Sequence, residues 1–340
     1  MPGTVGWNPV EVPYPGGVHG GCDLPTGRVL VTGAGGAAGV AVIQALSARA
    51  VPTVAVDADP AAVGLRLADD RSVVPPAHHP DFAEAVADIA ARTGAGALVA
   101  TVAEELPALA RATDRLAAAG LATWLPDPAA VDRCLDKWCF AQVAAHAGVP
   151  VPPTALGDAG DVPGPWIVKP RRGRGSRHVT AADDAAELAA ALVLVPDPIV
   201  QTRAGGREFT ADALVARGGA LAGLVARWRL DTKGGISTRG ETFVHPAVTE
   251  HVTAVLDAVG LEGPANVQGF VDEDGTVLLT EVNPRFSGGL PLSLAAGADL
   301  VGEYLRGIAG LPLRPDRLRA TPGVRMYRHF AEIFEAPGTP

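Results

Sequence analysis

The sequence predicts an α/β protein in which a parallel-sheet unit precedes a small αβ unit and an antiparallel sheet. Three observations carry this. Short apolar runs alternate with helical patterns between residues 28 and 126, the rhythm of a parallel sheet. The run Val149-Pro-Val-Pro-Pro153 then forces extended backbone and ends that rhythm. Beyond residue 205, strand-like runs are joined by connections too short for a parallel crossover, among them Arg217-Gly-Gly219 and Asp274-Gly275.

Composition supports several cores. The chain has 340 residues, 48% of them apolar, enough for two or three domains. Aromatics make up only 5%, so the layers must pack closely through Ala, Val and Gly. A net charge of −9 with no long basic run argues against nucleic acid as a partner. Cys22, Cys134 and Cys139 have neither a disulfide-framework pattern nor zinc-ligand spacing, and read as buried filler. No apolar run reaches the roughly 18 residues of a membrane span, and no basic stretch followed by an apolar core opens the chain. A cytoplasmic protein without a membrane partner is expected.

Residues 1–27 are rich in Pro and Gly without periodicity and read as an arm. Residues 28–126 form the parallel-sheet unit. Its first strand, Arg28–Thr32, runs into Gly33-Ala-Gly-Gly-Ala-Ala-Gly39 and a helix through about Ala48; a second strand, Val51–Val56, ends at Asp57. This glycine turn, with an acid about 20 residues on, is also the pattern of an NAD(P)-binding oxidoreductase. Any tight strand-to-helix turn needs the same glycines, so the motif speaks for the fold before it speaks for a ligand. Helices near Asp81–Thr93 and Glu104–Ala119 and strands Ala97–Thr101 and Leu121–Leu125 complete the unit.

Residues 127–153 form a helical linker in two pieces. Asp136 opens the second, Lys137 lies in its first turn, and Phe140, Val143, Ala144 and Ala147 make its apolar stripe. Residues 154–204 form the small αβ lid. There the strand Trp166–Lys169 enters a loop, Arg171–Arg177, whose glycines and backbone N–H groups suit phosphates, although a basic surface turn reads the same way. A helix at Ala182–Val195 and a strand at Pro198–Gln201 follow.

Residues 205–340 form the last unit. Glu208–Ala216 and Ala220–Leu230 are strands, with Glu208 and Asp212 on one face. Asp231–Phe243 is expected to be a polar glycine-rich loop carrying Lys233 and Arg239. A helix at Pro246–Gly260, mostly helical chain from Gly289 to Leu313 and a late strand at Val324–Phe334 are also expected.

Between helix and tail lies the most informative stretch, Gly263–Gly289. A two-residue turn at Asp274-Gly275 sets Glu273 against Thr276, and hence Phe270 against Leu279, Gln268 against Glu281 and Asn266 against Asn283. Alternation puts Asn266, Gln268, Glu281 and Asn283 on one face, with opposed Cβ atoms roughly 5 Å apart. Such an oxygen set suits a hard divalent cation that also holds phosphates. Arg285 follows on the same alternation. A hairpin with a merely solvated polar face would give the same pattern. Lysine usage adds weight: of 28 Lys and Arg, only Lys137, Lys169 and Lys233 are lysine, which marks them as places where a compact ammonium is wanted.

Taken in chain order, Asp136-Lys137, Ile167-Val-Lys169-Pro170 with its glycine loop, Gln201 and Glu208, and Gln268 with Glu281-Val-Asn283-Pro-Arg285 resemble the ATP-grasp superfamily. The nearest likeness is to its carbamoyl-phosphate-synthetase-like branch of small carboxylate–amine ligases. The resemblance covers about residues 28–310. It implies a pre-ATP-grasp domain, a lid and an antiparallel catalytic sheet. It also implies that Lys137 and Lys169 contact the phosphates of ATP and that Gly173, Gly175 and Ser176 close over them. The backbone of Gln201, Thr202 and Arg203 would read adenine, and Glu208 would take the ribose. Gln268, Glu281 and Asn283 would hold Mg²⁺, with Mn²⁺ as the alternative ion. Arg285 and Lys169 would be the catalytic cations. Gln201 stands where the family often has Glu. Lys233, Arg239, Ser287, Gly288 and Gly289 are candidates for substrate contact, with no spacing rule to rank them.

The reaction so implied joins a carboxylate and an amine through an acyl phosphate, releasing ADP and phosphate. Carboxyphosphate chemistry is the variant within the superfamily. An NAD(P)-dependent oxidoreductase and a catalytically silent nucleotide-binding module are the rivals outside it. The expected partners are two small-molecule substrates and, as a general prior for enzymes of this kind, a second copy in a homodimer.

Overall fold

The structure is a computed structural model and describes residues 27–173 and 175–335. The arm expected at the N-terminus, Cys22 and Arg174 lie outside the described residues, apart from Gly27. The first sheet contains β1 (Arg28–Thr32), β2 (Thr53–Asp57), β3 (Asp70–Val73) and β4 (Ala95–Ala100), all parallel in the order β3-β2-β1-β4. Helices α1 (Ala37–Ser47) and α2 (Phe82–Thr93) supply the crossovers. The short β3 was not expected: Asp70-Arg-Ser-Val73 lacks an apolar run, because an edge strand has one flank in solvent.

Two expectations in this unit change. The single helix at Glu104–Ala119 is broken at Ala112 into α3 (Leu106–Arg111) and α4 (Thr113–Ala118), and both pieces bury leucines, Leu109 and Leu116, in one cluster. The strand at Leu121–Leu125 shrinks to one bridge, Ala97 to Ala122, while Trp124 stacks on Tyr304 with ring centroids 5.4 Å apart.

The linker is α5 (Pro128–Leu135) and α6 (Lys137–His146), each capped by an aspartate. Ala147 lies past the end of α6 and is exposed, so the apolar stripe stops at Ala144. Cys134 is buried and its thiol is pushed up to about 12 by that burial, in keeping with inert filler. The lid is antiparallel, in the order β5-β8-β6-β7, from β5 (Thr154–Leu156), β6 (Trp166–Pro170), β7 (Thr180–Ala182) and β8 (Pro198–Thr202). Helix α7 (Ala185–Leu194) packs Ala191 against Val168 and Val200.

The third sheet is six-stranded, in the order β13-β12-β9-β10-β11-β14. Its strands are β9 (Arg207–Val215), β10 (Leu221–Lys233), β11 (Ile236–Phe243), β12 (Gly263–Val271), β13 (Val277–Asn283) and β14 (Arg325–Tyr327). Helix α8 (Pro246–Val259) packs on it, and α9 (Leu290–Ala295) and α10 (Leu300–Ile308) follow. The loop expected at Asp231–Phe243 is instead a continuous hairpin, β10 and β11 joined at Gly234-Gly235. Both glycines take positive φ, as a two-residue hairpin turn demands. Polar side chains on both faces hid these strands from a search for apolar alternation. The late strand at Val324–Phe334 keeps only three residues.

The first and third sheets share a core. Val42 and Leu46 of α1 lie in one cluster with Leu214, Val225, Phe286, Leu300 and Tyr304. Arg49, just after α1, pairs with Asp299, the N-cap of α10. The N-terminal unit is thereby held against the end of the hairpin, which matters for the site.

Candidate active site

Strand β9 lies between β12 and β10, so the polar face of the hairpin continues across four strands. One row of directly opposed residues runs Glu281, Gln268, Thr210, Arg227; the next begins Asn283, Asn266, Asp212. The pairs Gln268–Glu281 and Asn266–Asn283 are those expected from the sequence, but they arise by a different route. The turn holds three residues, not two: Asp272 N–H bonds the Thr276 carbonyl (3.0 Å) and Gly275 N–H bonds the Asp272 carbonyl (3.1 Å). Gly275, at φ +82°, supplies the left-handed position. Phe270 therefore faces Leu278, not Leu279. A bulge at Gln268/Gly269, with Thr280 as the extra residue, restores the count. A Cβ on Gly269 would lie 2.4 Å from the Leu278 carbonyl oxygen, so the bulge admits no side chain there.

Above these rows is a cavity of about 470 Å³. Lys137, Lys169, Gly173, Gly175 and Ser176 reach it from linker and lid. Gln268, Glu281, Asn283 and Arg285 line it from the hairpin, and Ser287, Gly288 and Gly289 from the turn beyond. Asp136 caps α6 through the N–H groups of Trp138 and Cys139 (both 3.1 Å) and accepts two bonds from Arg171 Nε (2.9 and 2.8 Å). Burial alone would raise its carboxyl, but Arg171, the Cys139 N–H and Arg172 hold it below the usual carboxylate range. The glycine loop is thus tied at its root to the turn that carries Lys137, whose Nζ donates to the Gly173 carbonyl (2.9 Å).

Lys169 is buried, and its Nζ donates to Gln201 Oε1 (3.0 Å), while Gln201 Nε2 donates to Thr154 Oγ1 (2.8 Å). Burial pushes the Lys169 ammonium down to about 8; Glu281 works against this and Lys137 adds to it. On the hairpin, Asn283 Nδ2 donates to Glu281 Oε1 (2.6 Å), and Arg285 donates to Asn283 Oδ1 (3.1 Å) and to the Phe286 carbonyl (2.9 Å). Burial raises the Glu208 carboxyl, which pairs with Arg229. Arg229 also donates to the Gly235 carbonyl (2.9 Å), where the β10–β11 turn meets Gly175 and Ser176 of the lid loop.

Some expected residues stand outside the cavity lining. Gln201 acts on it through Lys169. Thr202 and Arg203 already spend their N–H groups on the carbonyls of Pro153 (2.9 Å) and Pro165 (2.7 Å), and Arg203 pairs with Asp183 (2.6 Å). Lys233 and Arg239 are exposed and lie over the rings of Phe330 (5.7 Å) and Tyr327 (5.8 Å). Neither lines the cavity, although the turn between their strands, Gly234-Gly235, does. Conversely, the sequence reading missed Thr210, Arg227 and Arg229, and the turn Gly36–Ala38 with Thr101 and Val102 from the N-terminal unit. The alternation of Arg227 and Arg229, on the strand next to that of Glu208 and Asp212, was the available signal. The acid of the dinucleotide-like motif is used locally: Asp57 accepts from the N–H groups of Gly35 (2.7 Å) and Asp59 (2.9 Å).

A buried ammonium without a carboxylate in hydrogen-bond contact suits a phosphate. Among the described residues there is no group of three or more His, Cys, Asp or Glu that could hold a metal ion. A cation here would draw on Glu281, amide oxygens and a ligand's phosphates, the donor set that suits Mg²⁺ with a nucleotide.

Known proteins resemble this chain in sequence and in fold. Residues 195–329 match the family described as "ATP-grasp in the biosynthetic pathway with Ter operon". Residues 29–123 match the PylC-like N-terminal domain. The uncharacterised protein y4rH of Sinorhizobium fredii (strain NBRC 101917 / NGR234) is 29% identical over 219 residues, covering 53% of this chain. The match spans 43% of that relative's length. Three solved structures share the fold. Biotin carboxylase from Campylobacter jejuni has a TM-score of 0.67 at 17% identity, covering 86% of this chain and 73% of that one. L-amino acid ligase from Bacillus licheniformis has a TM-score of 0.68 at 17% identity, covering 88% and 78%. N5-carboxyaminoimidazole synthetase from Staphylococcus aureus, complexed with ADP, has a TM-score of 0.68 at 14% identity, covering 85% and 79%. With one family model on the parallel-sheet unit and another on the sheet that floors the cavity, residues 195–329 match an ATP-grasp family and the chain shares the fold of these three structures.

Proposed function

We propose that the protein is an ATP-dependent carboxylate–amine ligase that forms an amide bond through an acyl phosphate and releases ADP and phosphate. The observation that carries this is the meeting of Lys137, Lys169, the glycine loop, Gln268, Glu281, Asn283 and Arg285 in one cavity. Lys137 and Lys169 would hold the phosphates of the substrate ATP, and Gly173, Gly175 and Ser176 would exclude water above them. The N–H groups of Thr202 and Arg203 are engaged, so adenine would be read around Gln201–Arg203 through backbone carbonyls. Glu208 is the candidate for the ribose, at the expense of part of its contact with Arg229. Gln268, Glu281 and Asn283 would hold Mg²⁺, which when bound supplies charge neutralisation at the phosphates. Arg285, oriented by Asn283, would stabilise charge on the group being transferred.

Joining carboxylate to amine in this way needs positioning and charge more than covalent participation by the protein. The test is ADP release with ATP, Mg²⁺ and amino acids or simple carboxylates, singly and in pairs. Release that needs two organic partners supports the reading. Release with bicarbonate alone would replace it by carboxyphosphate chemistry.

A further inference from the structure

Across the sheet from Glu281 the cavity floor holds a further cation. Arg227 lies in the same row, three strands away, or about 14 Å at roughly 4.8 Å per strand. Its side chain is 2% exposed. Its Nη2 donates to Asp212 Oδ1 (2.7 Å) and to Ser287 Oγ (2.9 Å). Asp212 is in turn fixed by Ser293 Oγ (2.7 Å) and Asn266 Nδ2 (3.0 Å). The bonds of the guanidinium within the described residues all leave from Nη2, and Nε is buried without a partner. The Thr210 hydroxyl, directly opposite, is also buried without a partner. A Cβ on Gly289 would lie 1.8 Å from Arg227 Nη1, so the bare backbone there makes room for the guanidinium. The facing wall is the first turn of α1, which has no acidic residue and no side-chain cap; Gly288 lies against its Ala37.

An arginine this well braced, with donors left over, is set to receive an anion. In the ligase reading the reacting carboxylate lies at the metal-holding face and Arg285; Arg227 is rooted three strands from Glu281 and bonded to Asp212 and Ser287 instead, so it is available to hold a second group of the substrates. Resting on that reading, we propose that Arg227 and Thr210, facing the first turn of α1, form a subsite for a carboxylate that does not react. That carboxylate belongs to the amine-bearing substrate, which is therefore an amino acid or a related amino-carboxylate.

The test pairs the proteinogenic amino acids with one another in the ADP-release assay, then replaces the acceptor by its primary amide. The amide is expected to lose at least about 100-fold in kcat/KM, since a site built for charged hydrogen bonds is left unpaired. Arg227→Met should raise the acceptor KM at least about 10-fold and leave the KM for ATP unchanged. With a non-hydrolysable ATP analogue and Mg²⁺ present, the acceptor should raise the melting temperature of the unaltered protein and not that of Arg227→Met. Should that variant fail to fold, Thr210→Val and the acid-against-amide comparison decide. Equal turnover of acid and amide, or an unchanged acceptor KM, overturns the subsite. If no pair releases ADP, the ligase reading falls, and the melting-temperature arm still judges the subsite.

Discussion

Lys169 shows how a single residue couples burial to activity. Its ammonium is buried, and its acceptor is an amide, Gln201, where a carboxylate would have held the proton firmly. With a value of about 8 in the free protein, the charge needed for phosphate binding is lost as pH rises through that point. The profile of kcat/KM for ATP should therefore show an alkaline limb near pH 8. Gln201→Glu should move that limb upward by at least about one unit, because an adjacent carboxylate favours the charged form. Linkage has the opposite sign for stability. The folded value lies below the ordinary 10.5, so the unfolded chain binds more protons between the two, and the free protein gains stability as pH rises from 8 to 10.5. Below pH 8 burial of the charge costs on the order of 3 kcal/mol. Glu281 gives a simpler prediction: Glu281→Gln should reduce kcat at least about 100-fold while the far-ultraviolet circular dichroism stays unchanged. Normal turnover in that variant would remove Glu281 from the metal set. Lysine scarcity pointed to Lys137 and Lys169, whose short cationic heads serve the cavity. It also pointed to Lys233, which sits on an aromatic ring outside it, because usage along a chain carries no direction in space.

At the scale of the element, the hairpin β12–β13 reached the expected register through two offsetting departures, a longer turn and a bulge. Each rests on a glycine, and the two should respond differently to alanine. Gly275→Ala places a Cβ in open space but at φ +82°, and should destabilise by about 1 kcal/mol. Gly269→Ala would bring its Cβ to 2.4 Å from a backbone oxygen and 2.9 Å from the Phe209 ring, and should destabilise by about 2–3 kcal/mol. Urea titration of both variants measures the difference, and equal midpoints would mean that the bulge yields easily. The face assignment was legible because alternation fixes which side chains share a side. The bulge was not, because it shows in sequence as no more than one extra residue. The hairpin β10–β11 was missed for a related reason: Thr232, Ser237, Thr238 and Glu241 offer no apolar alternation, and its stability comes from neighbours on either side in the sheet.

For the whole molecule, the parallel unit and the antiparallel sheet share a core, with Arg49 and Asp299 tying α1 to α10. A ligand in the cavity touches linker, lid, hairpin and α1 together, so binding should stabilise the entire chain. ATP with Mg²⁺ at about 100 times its Kd should add about 2.7 kcal/mol and raise Tm, whereas NADH should leave Tm unchanged. The reverse result would restore the oxidoreductase reading. Asp57 weighs against that outcome, since both its oxygens are bonded to the glycine turn and to Asp59.

The sequence by itself determined the βα rhythm, the pairing of Gln268 with Glu281 and the place of Arg285 on the same alternation. All of these depend on spacing along one or two strands, where backbone geometry fixes direction. Only the tertiary structure decided that β9 enters between β12 and β10, that Arg227 is braced by Asp212 and cleared by Gly289, and that α1 closes the far wall. Those facts depend on which strands become neighbours, and neighbours far apart in the chain are chosen by packing of the whole, which no local pattern records.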